Sequence, residues 1–489
     1  MTSEHSTRAY VIGSGPNGLT AGIVLAQAGL HVEVFEAETE PGGAARSLPL
    51  TLPGFLHDFG SAVHPLAAGS PIFSSLPLPS FGLEWVHGDA PLAHPLDDGT
   101  AVMLERDLSV AERELGADGA AWRKLVGPAA VDWKEFARDA LSPLLRVPRH
   151  PLGMARFGLA AFQPARMLAR SRFSGERARA LFAGLAGHSF LSFDQPLSSA
   201  IAIVLGAAAH AVGWPVPRGG ARAIPDALIA YLASCGGAVR TSRRIGAIEF
   251  QELTSKGSLV LCDLTPEALA KMAGSRVAAG FRRAANRFRH APGAFKIDYA
   301  LSEPVPWRAP ECRRAITVHL GGSLEEIAAS EQAVIQGRCA ERPFVLAAQP
   351  TLFDPARAPH GKHILWAYCH VPNGSTFDMT ERIESQIERF APGFRDCVLG
   401  RHIAPPAELE NMDANLVGGD VMGGALTISQ LLFRPSLRAY STGSPNVYLC
   451  SASTPPGGGV HGMCGYNAAK LALRRLNKSQ PNLFLTPGS

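Results

Sequence analysis

The segment that most restricts what this chain can fold into lies within its first forty residues. Ala9-Tyr10-Val11-Ile12 reads as a short buried strand, Gly13-Ser14-Gly15-Pro16-Asn17-Gly18 follows at once, and Leu19 to Ala28 reads as a helix. A second strand, His31-Val32-Glu33-Val34-Phe35, ends in an acid, Glu36. Strand, G-x-G-x-x-G turn, helix, strand and acid in that order form the frame of a dinucleotide-binding unit. Gly13 permits the tight turn, Gly15 lets backbone approach a pyrophosphate, and Gly18 lets the helix pack against the strand. Pro16 and Asn17 open the helix, whose N-terminus favours phosphate, and Glu36 accepts from ribose hydroxyls. The fold class expected is therefore α/β, with a Rossmann-type parallel sheet.

Two further segments favour FAD over NAD. Pro41-Gly42-Gly43-Ala44-Ala45-Arg46 follows the acid closely, and many two-domain flavoproteins carry such a segment, where backbone amides and an arginine meet the FAD pyrophosphate. Near the other end, residues 446–467 read as a strand, a turn holding Gly457-Gly458-Gly459, and a helix that starts around Val460, His461, Gly462 and Met463. A helix N-terminus aimed at flavin N1 and O2 stabilises the negative charge that gathers there on reduction. One FAD per chain, held non-covalently, is the expectation.

With these motifs the chain resembles the phytoene-desaturase-like (carotenoid dehydrogenase-related) FAD oxidoreductases of the amine-oxidase-type flavoprotein superfamily. The resemblance extends over nearly the whole sequence, including residues 56–65, Val212 to Gly220, Gly293 to Asp298, Trp366 to Pro372 and Val417 to Asp420. It implies a discontinuous FAD-binding domain (1–70, 215–280 and 440–489) and a mixed α+β substrate domain (71–214 and 281–439). It also implies that Gly60, Ser61 and Ala62 lie at the flavin edge, that backbone at Ile245 meets the adenine, and that Ser451 and Ser453 stand beside the ribityl chain. Many members have glycine and an acid at the last two positions; serine still hydrogen-bonds there. The stretch from Ile245 to Asp263, after a strand at Gly237 to Thr241, is a shortened form of the usual hairpin. By its place in the chain, Lys296 resembles the lysine that several of these enzymes hold near flavin N5; an edge-strand lysine in solvent is the plainer reading. His64 and His461 are proton-moving candidates, and each is equally a structural histidine.

At 489 residues, with 46% hydrophobic and 18% charged side chains, the chain suits two or three domains. A net charge of +4 gives no sign of a nucleic-acid partner. The eight cysteines are scattered with no Cys-x-x-Cys pair, which argues against a metal site or a redox dithiol and suits a reducing cytoplasm. No second G-x-G-x-x-G follows a strand, so a separate NADPH domain is not expected and electrons leave to oxygen or a quinone. The most apolar stretch, 197–212, is too short to span a bilayer. Residues 141–174 carry Arg146, Arg149, Arg156, Arg166, Arg170 and Arg172 among large apolar residues and no acid. That pattern suits either a peripheral membrane surface or a solvated face. The function expected is FAD-dependent dehydrogenation of an apolar or amphipathic small molecule. Amine oxidation, redox-neutral isomerisation and a flavin-free lipid or prenyl escort are the rivals.

Overall fold

The computed structural model describes residues 8–143, 146–255 and 257–479. A parallel sheet of five strands runs Val447–Leu449, Leu259–Cys262, Arg8–Ile12, His31–Phe35, Ala238–Arg240 from edge to edge. Its middle strand is the first in sequence, and Ala9 to Ile12 are buried, as a strand covered on both faces requires. The helix after the glycine turn, Pro16–Gln27, begins three residues earlier than its apolar run suggests. Proline is tolerated there because the first-turn N–H groups have no intrahelical partner. This helix packs on the C-terminal helix Met463–Ser479. Gly465 makes the approach possible, since a Cβ there would sit 1.8 Å from the Asn17 carbonyl oxygen.

A second sheet of seven strands runs Val398–Ala404, Gly293–Leu301, His363–Val371, Val345–Ala348, Ala315–Leu320, Ala90–Pro95, Ala101–Leu104. It is antiparallel except where Ala315–Leu320 runs parallel to Ala90–Pro95. Its registers align one row across the sheet: Lys296 opposite Tyr368, Tyr368 opposite Leu346, Leu346 opposite His319. Val318 opposite Ala93 then sets His319 beside His94. Directly opposed residues share a face, so this row looks one way. Phe295, Ile297, Leu365, Ala367 and Val318 look the other way, into a core closed by Ile383, Ile387 and Phe390 of the helix Thr380–Phe390.

One sequence expectation changes. The region read as a shortened hairpin after Ile245 is a helix, Ala247–Ser255. Phe250 and Thr254, one turn apart, bury its inner side while Ile248 stays 79% exposed. The 197–212 stretch is the helix Ser198–Ala211, packed inside the substrate-side core. Among the described residues, no helix is long and apolar enough to cross a membrane. The basic segment folds as the helices Pro151–Ala161 and Ala165–Arg172. Although it has no acid of its own, Arg170 pairs with Glu325 at 2.8 Å, and Arg166 lies 3.3 Å from Asp194 and 3.5 Å from Glu325. Leu152 and Leu159 remain 87% and 76% exposed. Leu144 and Leu145, part of the same reading, lie outside the described residues.

Candidate functional site

One cavity of about 910 Å³ extends between the two sheets, within the range of small-molecule sites. Its nucleotide end is built on the glycine turn. Gly13 has φ +99°, and its N–H donates to the Phe35 carbonyl at 2.8 Å, joining the turn to the second strand. Glu36 ties the loop together: one oxygen accepts from the Ser14 N–H at 3.0 Å and the Ser14 hydroxyl at 2.6 Å, the other from the Glu38 N–H at 2.9 Å. The Ser14 hydroxyl also accepts from the Gly42 N–H at 3.1 Å. The oxygen that accepts only from the Glu38 N–H keeps a lone pair for a ribose hydroxyl.

Arg46 is buried, donates to the carbonyls of Gly43 (2.8 Å) and Met412 (2.5 Å), and lies over the Phe59 ring. Those contacts hold the Gly42-Gly43 turn against the loop at 412–415. Asp263, at the end of a central strand, is a residue the sequence reading missed. Its carboxylate accepts from the Gly18 N–H at 2.9 Å and lies against Gly13 and Gly15. Burial pushes Asp263 up to about 7, against the Gly18 hydrogen bond and with Asp413 and Glu36 adding to the rise. The signal for it was the strand-end position itself, where open α/β sheets bind their ligands.

Gly13, Gly15, Pro16, Asn17, Glu36, Gly43, Arg46, Gly60, Ser61, Ala62, Ile245, Ser451, Ser453 and Val460 line this cavity, together with His64 and Lys296. Gly18, Gly42, His461, Gly462 and Met463 stand outside the wall-forming set. Gly18 and Gly462 serve close packing: a Cβ would meet the Gly13 carbonyl at 2.1 Å or the Thr20 hydroxyl at 2.5 Å. His461 accepts the Met463 N–H at Nδ1, 3.1 Å, at the start of the last helix. His64 is 2% exposed with neither ring nitrogen hydrogen-bonded among the described residues, and burial lowers it to about 4. The buried Ser61 hydroxyl is likewise unpartnered.

Lys296 is 3% exposed on an interior strand, which removes the solvent-edge reading. Its ammonium pairs with Asp298, two residues along on the same face. Burial lowers the Lys296 pKa while Asp298 opposes that shift. His57 and His402 stand 3.7 and 3.8 Å from the Asp298 carboxylate. Beside this group is a second buried pair, Arg357 with Asp58 at 2.7 Å. Trp366 and Tyr368, also missed, add two cavity walls with ring centroids 5.0 Å apart and planes at 69°. Period-two alternation in Trp366-Ala367-Tyr368-Cys369-His370 was their signal.

The residues present fit FAD. The glycine cradle, a buried arginine beside it, unpartnered polar atoms at Asn17 and Ser61, and a cavity continuing past the nucleotide end all suit a long dinucleotide. Fold and site together are compatible with an oxidoreductase of flavoprotein type. Residues 11–74 match the NAD(P)-binding Rossmann-like domain family. The chain is 26% identical over 556 aligned positions to "Pyridine nucleotide-disulfide oxidoreductase domain-containing protein 2" of Rattus norvegicus, covering 96% of this chain and 93% of that one. It is 32% identical over 126 residues to 4,4'-diapolycopen-4-al dehydrogenase of Metabacillus indicus, covering 24% and 25%. A redesigned putrescine oxidase shares the fold at a TM-score of 0.60 and 13% identity, over 96% of this chain and 99% of that one. These likenesses support the flavoprotein oxidoreductase superfamily. Among the described residues no cysteine lines the cavity, and all eight are free.

Proposed function

We propose that the protein is an FAD-dependent dehydrogenase of an apolar small molecule, with oxygen or a quinone as the final acceptor. The observation that carries this reading is the continuity of one cavity from the Gly13–Asn17 turn to the aromatic walls at Trp366 and Tyr368. In this reading the parallel-sheet layer holds the cofactor and the seven-stranded layer holds the substrate. When bound, FAD supplies a two-electron acceptor. Gly13, Gly15 and Gly43 give backbone access to its pyrophosphate, Glu36 accepts from ribose, and Ser451 and Ser453 stand beside the ribityl chain. Trp366, Tyr368 and Leu346 orient apolar substrate and exclude water. The Lys296 ammonium, paired with Asp298, places positive charge on the wall without a net charge in the core. Amine oxidation is the second reading, favoured by the shared fold of the putrescine oxidase and by the Trp366–Tyr368 pair.

Purified protein is expected to be yellow, with one FAD per chain released into the supernatant by acid precipitation. Flavin remaining with the precipitate contradicts the non-covalent assignment, and colourless protein contradicts the function. Anaerobic photoreduction followed by a screen of apolar alkenes, alcohols and amines, with oxygen and a quinone as acceptors, then separates dehydrogenase from amine oxidase.

We also propose that residues 146–172 meet an anionic membrane surface through exposed Leu152, Leu159, Phe162 and Met167, flanked by arginines. Binding to phosphatidylserine vesicles in flotation should fall about tenfold or more when Arg146, Arg149, Arg156 and Arg172 become glutamate. Equal partitioning of the two proteins makes the segment a solvated face.

A further inference from the structure

At the end of the cavity away from the glycine turn, three histidines from three elements form a line. His188 follows the helix Glu176–Gly187 and lines the cavity with Phe190, Trp214 and Leu346. Its Nε2 lies 3.0 Å from Nε2 of His319. Behind it, His319 and His94 are fully buried on neighbouring strands, and His94 Nε2 lies 2.7 Å from the Gly322 carbonyl oxygen. Nδ1 of His319 and Nδ1 of His94 have no partner among the described residues. Both face the space that Gly184 leaves open, since a Cβ there would sit 2.6 Å from the first and 3.1 Å from the second.

The carbonyl contact fixes one proton of the line and narrows the others. A carbonyl only accepts, so His94 carries its hydrogen on Nε2 and presents a lone pair at Nδ1. No hydrogen bond joins Nδ1 of His319 to Nδ1 of His94, and the contact between Nε2 of His319 and Nε2 of His188 can run in either direction; a hydrogen on Nδ1 of His319 avoids two buried lone pairs side by side next to Gly184. In that tautomer Nε2 of His319 accepts from the Nε2–H of His188, which leaves Nδ1 of His188 as an acceptor on the residue that meets the cavity. Burial keeps the line neutral: His188 is lowered to about 3 and His94 to about 4. A group so hard to protonate serves as a fixed acceptor rather than as a base.

The geometry points to His188 Nδ1 as the group that receives an uncharged hydroxyl of an otherwise apolar substrate. An ammonium is disfavoured there because the acids on the cavity wall, Glu36, Glu38, Glu40, Asp263, Asp413 and Asp420, come from other loops. Glu331, behind Phe190, is held by His370 at 2.8 Å. The inference rests on the proposed function and narrows its substrate to apolar alcohols. His319 and His94 are positioning residues that fix the tautomer.

The test uses two isomers, 1-octanol and 1-methoxyheptane, which differ in having a donor, with octylammonium as a third probe. Binding to the full-length protein is read by tryptophan fluorescence, to which the wall residues Trp214 and Trp366 report. Wild type should bind the alcohol about fivefold more tightly than the ether, the effect of one hydrogen bond to a buried acceptor, and more tightly than octylammonium. His188→Phe should abolish the preference for alcohol over ether, His188→Gln should keep part of it, and His319→Phe should weaken it with ether binding unchanged. Equal binding of the isomers by wild type, or an unchanged preference in both His188→Phe and His319→Phe, overturns the assignment. Flavin content of the same preparations keeps the two readings apart. Colourless protein refutes the flavoenzyme, whereas the fluorescence titrations decide His188 in either case.

Discussion

Gly18→Val is expected to yield protein that is destabilised by about 3 kcal/mol and carries no flavin. The cause is backbone contact. A Cβ at position 18 would lie 2.1 Å from the Gly13 carbonyl oxygen, and neither the turn nor the helix Pro16–Gln27 can move without parting from the central strand. The Gly18 N–H would also lose its bond to Asp263, leaving a buried carboxylate unpartnered. Gly15→Val makes the informative contrast. There the obstacle is the Asp263 carboxylate oxygen at 2.7 Å, a side-chain end rather than backbone although it accepts from the Gly18 N–H, and position 15 lies on the cavity wall. Gly15→Val should therefore lose flavin and cost less stability than Gly18→Val, because it displaces a side chain and its bond to the Gly18 N–H rather than backbone. Flavin stoichiometry and denaturation midpoints check both. Wild-type flavin content in Gly18→Val would mean that the turn does not hold the cofactor.

Lys296→Met should lower unfolding free energy by about 3–5 kcal/mol at neutral pH, because it strands Asp298 as an unpaired buried charge. Asp298 is 0% exposed, and its neighbour His57 is itself lowered to about 4 by burial, so it offers no replacement cation at neutral pH. The pH dependence should invert. In the wild type, burial raises the Asp298 pKa but Lys296, His402 and His57 outweigh it and hold the carboxyl below its usual value. The stability it contributes is thus present above the unfolded carboxylate pKa and is lost as pH falls. Without Lys296, burial prevails and the folded pKa rises, so the variant should gain stability as pH falls from about 7 toward about 4. Lys296→Met combined with Asp298→Leu should recover most of the loss, since a buried pair exchanged for apolar side chains is often near neutral. Flavin should stay bound in both variants, and reoxidation of the photoreduced protein by oxygen should slow about tenfold, a barrier change of about 1.4 kcal/mol. Slow reoxidation in the stable double variant assigns the effect to the ammonium. Rates matching wild type with oxygen and quinone leave Lys296 a structural residue.

The nucleotide end was legible because its information is local. Gly13 to Gly18, Glu36 and Gly42 to Arg46 lie within forty residues, and each glycine answers one steric demand. The substrate end was not. Lys296, Tyr368, Leu346, His319 and His94 form one row only after five strands fix their registers, and alternation along one strand does not name the partner on the next. Asp263 belongs to the same class, since the glycines it touches lie some 250 positions earlier. The His64 and His461 readings had the same limit. Both are buried, yet only the folded chain shows His64 on the cavity wall and His461 accepting from the Met463 N–H at a helix start.

The strand order of the parallel sheet also bears on how the protein is made. The middle strand emerges from the ribosome first and the edge strand Val447–Leu449 almost last, with the turn at 457–460 behind it. At about 5–20 residues per second, on the order of twenty seconds to a minute and a half separates them. During that interval the nascent glycine turn has no strand at 447–449 and no final helix to pack on Asn17 and Ala21. Under the proposed function, cofactor capture waits until nearly the entire polypeptide has been synthesised, and ribosome-stalled chains shorter than about 460 residues should emerge without flavin.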